Sequence, residues 1–419
     1  MTGTLPEASA SSTAPPAWWR RPGLESRDGR LTICGEDAEA LARGHGTPLF
    51  VYDRARYAEN ARMLQDAAAR AGIPFRLRFA LKANPLPEVL EVFRGLGTPG
   101  SSDSVGIDAC SPGEVLRALE CGWRADEISH TGTNVSERDL DVLLEHDIHL
   151  NLDAISQIRR YGRRAPGRPI GLRIDPGAGA GYREHLEYSG RPTKFGIGLD
   201  RLGEALVVAR EHDLTIDTVH FHAGSGWLGD GLAAFETALV GAVEATEWLL
   251  GQGCPIGEVN VGGGIGVPAR DDEPPVDLDA YAALLARHLG PLGVAIAAEP
   301  GDYLSKDAAI LLGEVVTIEE RGGVTFVGLD IGWNVNCAYF IYGYLQEILP
   351  VTAVDAPRTK VVTVAGHINE ASDVFATDYP MAPVEEGDIV AVLNAGGYLQ
   401  AMSSTHCLRP TGTAIFLDR

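Results

Sequence analysis

Lys82 closes the run FALKANP, a lysine leaving a short apolar, strand-like stretch. At the end of a buried strand its amine would be desolvated, which lowers its pKa and makes it a better nucleophile toward a carbonyl. A solvated surface lysine is the ordinary alternative. In VNVGGGIGVP (259–268) three glycines follow another such run. Glycine lets backbone N–H groups approach and cradle a phosphate, although the same triplet also makes a plain tight turn. Its spacing is not that of the dinucleotide fingerprint GxGxxG. Glu299, in AAEPGD, would be costly to bury unpaired. Beside a pyridine ring it would keep the ring nitrogen protonated; otherwise it is one half of an ion pair. His222 and Ser225, in FHAGSG, have the chemistry to stack on an aromatic ring and to bond a phosphate. The competing reading of the histidine is a satisfied core residue.

These residues need elements that bring them together. From about 75 to 300, eight apolar, β-branched runs alternate with helix-like spacers: RLRFALK (76–82), VGIDAC (105–110), ISHTG (128–132), IHLNLD (148–153), IGLRID (170–175), TVHFHAG (218–224), EVNVGGG (258–264) and VAIAAEPG (294–301). The spacers EALVVAREHD and ETALVGAVEATEWLL repeat apolar residues at three- and four-residue steps. Eight such units are the count of a closed (β/α)₈ barrel, with a doubly wound open sheet as competitor. Lys82, Asp108, His130, Asp175, His222, Gly262–Gly264 and Glu299 follow the apolar part of their runs. In a parallel barrel those ends share one face, where active sites form. After 310 the chain alternates like strands punctuated by Gly and Pro, which predicts a β-rich C-terminal domain. The expected division is a disordered leader over 1–28, a first segment of the β domain over 29–48, the barrel over 49–310 and the C-terminal β domain over 311–419.

Composition narrows the partners. The 419 residues carry 35 basic against 57 acidic side chains, a net charge of −22, which argues against nucleic acid or an anionic membrane. No apolar run reaches the length of a membrane span. Six scattered cysteines without a CxxC pair predict reduced thiols in a cytoplasmic protein and no metal site. The opening MTGTLPEASASSTAPPAWWRRPG lacks the pattern of a secretory signal. Trp18 and Trp19 remain candidates for docking on the body.

The stretches TPLFVYD, FALKANP, GIDACSPGEV, PTKFGIG, FHAGSG, VNVGGGIGVP, AEPG, GHINEASDVF and NAGGYLQAMSS occur in the order of a known family. From about residue 31 onward the chain resembles the fold-type III, pyridoxal 5′-phosphate (PLP) dependent decarboxylases that act on diaminopimelate and ornithine. In look it is nearer to the former. The resemblance implies PLP on Lys82, His222 stacked on its ring, and Glu299 at the pyridine nitrogen. It also implies a phosphate site from Ser225, Gly263, Gly264, Pro300, Gly301, Asp302 and Tyr398. A homodimer with shared active sites follows from the same resemblance, with Glu370 and Tyr398 reaching the other subunit's site and Tyr342 and Glu370 among the substrate contacts.

Three departures from the family pattern bear on the reaction. The family's GPxCESxD reads Gly366-His367-Ile368-Asn369-Glu370-Ala371-Ser372-Asp373, so the catalytic position of the protonating cysteine holds Asn369, which is no useful proton donor near neutral pH. The family's EPGR ends here in Asp302, and a second substrate arginine falls at about Ala338. The resemblance, with these departures, then implies decarboxylation of an amino acid other than meso-diaminopimelate, a small-molecule substrate with its distal end neutral or cationic toward Asp302, in specialised metabolism. The alternatives are another fate of the α-carbon (decarboxylative transamination, oxidation or racemisation) and a PLP-binding homologue without turnover.

Overall fold

The computed structural model describes residues 18–179 and 193–419. Eight parallel strands form a ring: β1 (Phe75–Ala80), β2 (Val105–Ala109), β3 (Ile128–His130), β4 (His149–Leu152), β5 (Pro169–Asp175), β6 (Thr215–His220), β7 (Glu258–Asn260) and β8 (Ala295–Ala298). Each pairs with the next and β8 pairs back with β1, so the sheet is closed. Strand β1 follows the helix Arg54–Arg70, and a further α-helix precedes each later strand. The barrel foreseen from the alternation is present, with all eight strands within the runs or a few residues of their edges.

The strands read as apolar because one side of each meets helices. Leu77, Phe79, Ile107, Leu150, Leu172, Val219, Val259 and Ile296 are fully buried with Leu90, Phe93, Val115, Leu143 and Ile158 of the helices. Alternation then sends the intervening residues into the ring, and there the barrel is polar. Arg78 reaches across to Glu258 (2.7 Å), and Asn151 donates to Ser129 Oγ (3.0 Å) and Thr131 Oγ1 (2.9 Å). Buried polar groups demand such partners, so these pairs fix the side chains beneath the site.

The second domain contains β9 (Ala309–Arg321), β10 (Val324–Leu329), β11 (Ile348–Pro350), β12 (Lys360–Ala365), β13 (Val374–Met381), β14 (Ile389–Val392) and β15 (Thr413–Leu417). Along the main path the order is β11-β14-β9-β10-β12-β13. The strands β11 and β13 were not singled out by their sequence pattern.

Two of the expected domain edges move. The strand Leu49–Asp53 does not open the barrel: it lies between β9, antiparallel, and β15, parallel, in the β domain. All five of its residues are buried, which an apolar strand between two others requires. At its end Asp53 caps the helix Arg54–Arg70 by accepting from Arg56 N (3.2 Å), and this is where the chain enters the barrel. The expected leader is also too long. Residues 1–17 lie outside the described residues, but Trp19 is 3 % exposed and packs with Leu24, Leu31, Val51, Ile310 and Leu312. Leu24–Arg27 forms an antiparallel strand with Arg30–Ile33. The apolar residues at 19 and 24 bury enough surface to hold this segment on the β domain.

Candidate active site

A cavity of about 320 Å³ opens at the C-terminal ends of the barrel strands, lined on one side by the second domain. Lys82 sits in the 3₁₀ turn Leu81–Ala83 that ends β1, and its side chain faces this cavity. Its Nζ lies 3.4 Å from Cys110 Sγ and 3.7 Å from Asp108 Oδ2, both at the end of β2. Burial by itself would lower the lysine's pKa, but Cys110, Asp108, Tyr398 and Glu114 outweigh it and hold the ammonium well above its usual range. The expected depression is therefore corrected: the neighbours of Lys82 win over desolvation.

Opposite stands Glu299, directly after β8. Burial would raise its pKa, yet His220 Nε2 at 3.0 Å, Arg78 and a very short bond from Asn260 Nδ2 hold the carboxylate below its ordinary value. Asp108, equally buried, goes the other way, pushed up to about 8 by burial and by the charge of Glu299. Two carboxylates in one cavity thus take different protonation states at neutral pH. The Gly263 N–H donates to His222 Nδ1 (3.2 Å), so that nitrogen carries no proton; burial, Arg173 and Lys82 keep the ring neutral.

The glycines are required by close approach. Gly262 has φ +68° and Gly264 φ +112°, and a Cβ at Gly263 or Gly264 would strike the carbonyl oxygen of Glu299 or of Gly224. A Cβ at Gly301 would strike the Tyr398 hydroxyl. Backbone and hydroxyl are therefore packed around a hollow that Ser225 also lines.

Of the residues singled out from the sequence, Lys82, His222, Ser225, Gly263, Gly264, Glu299, Gly301, Asp302, Tyr342 and Tyr398 line this one cavity. Pro300 is buried beside it without lining it. His130 and Asp175 do not line it; burial pushes His130 down to about 4, and Thr131 and Thr133 stand at the wall instead. Tyr398 is a correction to the sharing expected between subunits. It lines the cavity of its own chain, and its N–H donates to Ala83 O (2.8 Å), next to Lys82. Asn369 and Glu370 are exposed and do not line this chain's cavity; Glu370 lies 3.5 Å from His406.

Asp302 is corrected in its charge. Its Oδ2 lies 3.2 Å from Lys306 Nζ, both side chains are buried, and Lys306 sits 3.9 Å over the Tyr344 ring. The acid at 302 is neutralised within the wall and does not face substrate as a bare charge. Lys306, His220, Cys110, Arg173 and Phe195 also line the cavity and were not picked out. Arg173 stacks 4.3 Å over Phe195. The signals were present for two of them: His220 precedes His222 by one strand period, and Phe195 lies in PTKFGIG.

A barrel with a lysine at the end of β1, a glycine cradle after β7 and a paired buried acid after β8 defines an enzyme built for a phosphorylated aromatic carbonyl cofactor. The donor set fits PLP: an amine for the aldehyde, backbone N–H groups and hydroxyls for the phosphate, an anion for the ring nitrogen. Residues 58–306 match the model of the pyridoxal-binding domain of pyridoxal-dependent decarboxylases. The diaminopimelate decarboxylase of Methanothermobacter thermautotrophicus is 37 % identical over 93 % of this chain and 91 % of its own length. That of Streptomyces coelicolor is 30 % identical over 99 % and 92 %. The crystal structure of diaminopimelate decarboxylase from Helicobacter pylori complexed with L-lysine superposes with a TM-score of 0.81 at 26 % identity, covering 90 % of this chain and 93 % of that one. The protein belongs to the pyridoxal-dependent decarboxylases of the ornithine, arginine and diaminopimelate group, and its cofactor is PLP. No helix among the described residues is long and apolar enough to cross a membrane.

Proposed function

We propose that the protein removes the α-carboxylate of an amino acid other than meso-diaminopimelate. The observation that carries the decarboxylase reading is Lys82 and the paired Glu299 facing one cavity whose glycine wall leaves no room for side chains. Lys82 holds the cofactor through Nζ. Gly263, Gly264, Gly301 and the backbone at Asp302, with Ser225 and Tyr398, surround its phosphate. When bound, PLP is an electron sink for the pair left on the α-carbon as CO₂ departs. Glu299, held by His220 and Asn260, would keep a proton at the pyridine nitrogen, and neutral His222, on the same cavity wall, would meet the ring without adding charge. Glu299, His220 and Asn260 are buried, which strengthens the interactions among them, while Lys82 stays open to the cavity.

The substrate reading rests on the distal wall. The arginine positions of the family hold Asp302 and Ala338, and Asp302 is occupied by Lys306. That wall presents a paired carboxylate and ammonium of about zero net charge, with Tyr342 alongside. The position of Asn369, exposed and without an acidic proton, favours a second reading in which the α-carbon is not simply protonated. Six free thiols support a reducing, cytoplasmic setting.

The test is to supply the PLP-loaded protein with meso-diaminopimelate, with L-lysine, L-ornithine, L-glutamate and L-glutamine, and with the D-isomers of these last, and to measure CO₂ and organic product. One neutral or cationic member is expected to give the highest CO₂ yield, with an amine as product. A highest yield from meso-diaminopimelate would end the substrate reading, carbonyl products would favour the second one, and no CO₂ from any would remove the catalytic reading.

The homodimer with shared sites, proposed on the family pattern, takes a sharper form if Tyr398 acts in the cavity of its own chain, which it lines. Mixed dimers of Lys82→Ala with Tyr398→Ala are expected to stay inactive, since each chain would carry one lesion in its own cavity. Lys82→Ala mixed with Glu370→Ala is expected to recover up to about one quarter of wild-type activity, because random pairing leaves one intact site in half the dimers. Recovery in the first mixture, or none in demonstrably mixed dimers of the second, goes against this arrangement.

A further inference from the structure

Position 369 has no proton to give, yet the cavity holds a thiol elsewhere. Cys110 directly follows β2, its Sγ is 3.4 Å from Lys82 Nζ, and it lines the same wall as Asp108. Its backbone N–H donates to Glu114 Oε2 (2.7 Å), which fixes where the side chain starts. Asp108 is 3 % exposed, and its Oδ1 has no hydrogen-bond partner among the described residues, so this wall is built to meet a group that enters the cavity. We propose that Cys110 delivers the proton that replaces the departing carboxylate at the substrate's α-carbon.

The inference rests on the decarboxylase reading above and deepens it. The α-carbon is bonded directly to the amine nitrogen that takes the place of Lys82 Nζ on the cofactor. A group 3.4 Å from Nζ would therefore lie within one bond's length of that same contact distance from the atom to be protonated, which is the reach that proton transfer needs. The step balances simply. The bond from the α-carbon to the carboxylate carbon breaks, CO₂ leaves, and the electron pair it leaves behind forms the new C–H bond with the Sγ proton. The thiolate left behind is paired with the Lys82 ammonium and regains a proton from water as product departs.

The groups that face Cys110 keep it loaded for this role. Burial, with Asp108 and Glu114, outweighs the pull of Lys82 and raises its thiol to about 12, so it stays protonated across the working pH range. Tyr398 also bears on Lys82, but burial holds its phenol well above its usual range. Asp108 is the other proton holder in reach, and the test separates it from Cys110.

The experiment uses PLP-loaded wild type, Cys110→Ala, Cys110→Ser and Asp108→Asn, each checked for cofactor content by absorbance. The substrate is the member of the amino-acid panel with the highest wild-type CO₂ yield. Cys110→Ala is expected to lower the amine formed per CO₂ at least about tenfold, short of the roughly 10²–10⁴-fold a proton donor contributes to rate because solvent protonates part of the carbon, with carbonyl compound making up the difference. Cys110→Ser is expected to fall between it and wild type. A second readout needs no turnover: alkylation of Cys110 by iodoacetamide, followed on its peptide by mass spectrometry, is expected to slow several-fold when PLP is loaded. An unchanged amine-to-CO₂ ratio in Cys110→Ala, the same loss in Asp108→Asn, or equal alkylation with and without PLP overturns the proposal. Wild type releasing no CO₂ at all would instead remove the reading beneath it, and the alkylation arm would still report whether the thiol faces the cofactor.

Discussion

Replacing Lys82 by alanine is expected to remove covalent PLP from the protein and to cut CO₂ release by about 10³-fold or more, toward the upper range for losing a positioned proton-transferring group. Borohydride reduction of wild type should leave the cofactor on the peptide containing Lys82, and on no peptide of the variant. A labelled peptide elsewhere would reassign the site. The environment of Lys82 adds a kinetic signature. The ammonium titrates well above its usual range because Cys110, Asp108, Tyr398 and Glu114 together outweigh burial. Only the neutral amine attacks an aldehyde, so its fraction rises tenfold per pH unit below that pKa. The rate at which cofactor-free protein captures PLP should accordingly climb log-linearly with pH through the neutral range and past pH 10. Asp108 is ionised only above about 8, so Asp108→Asn removes an anion beside Lys82 in the alkaline range alone, and should speed capture above pH 8 while leaving the rate at pH 7 nearly unchanged. A rate flat above pH 7 in wild type would contradict the assigned surroundings.

The reversal at Lys82 shows what a sequence can and cannot carry. That the lysine leaves a buried strand was legible in FALKANP, and so was the chemistry of an amine placed there. The sign of its pKa shift was not, because it is decided by residues from β2 and from position 398, over three hundred residues away. The barrel was legible for a related reason: its outward residues, such as Phe79 and Val219, are apolar at strand spacing, and the helices between them are amphipathic. Its inward residues were harder to read. Arg78, Glu258 and Asn151 look like solvated side chains in a list and become a buried polar network only when the ring closes. The strand Leu49–Asp53 was assigned to the wrong domain because an apolar strand carries no label for its partners, and β9 and β15 lie far along the chain. Tyr398 was placed in the other subunit by family pattern alone; its bond to Ala83 brings it into its own chain's cavity.

Asp302 and Lys306 illustrate the same point and give the second large effect. Each looked like an isolated charge, and Asp302 alone suggested a wall that selects cations. Together they form a buried pair at 3.2 Å with the ammonium over Tyr344. Lys306→Met leaves the Asp302 carboxylate buried without its cation, which should cost about 3–5 kcal/mol of stability and lower Tm by several degrees. The double variant Asp302→Asn/Lys306→Met removes both charges and should recover most of that loss, since a buried ion pair adds little over a neutral packing of the same shape. The single variant Asp302→Asn acts on specificity, because it leaves an unopposed ammonium on the cavity wall. Preference, measured as the ratio of kcat/KM for L-glutamate to that for L-lysine, should shift toward the distal carboxylate relative to wild type, because a charge in a partly dry site interacts strongly with whatever approaches it. If Lys306→Met and the double variant are equally unstable, the pair is not what holds this wall. If Asp302→Asn leaves the ratio where it was, the substrate's far end lies elsewhere in the cavity, and Tyr342 and Arg173 become the residues to change next.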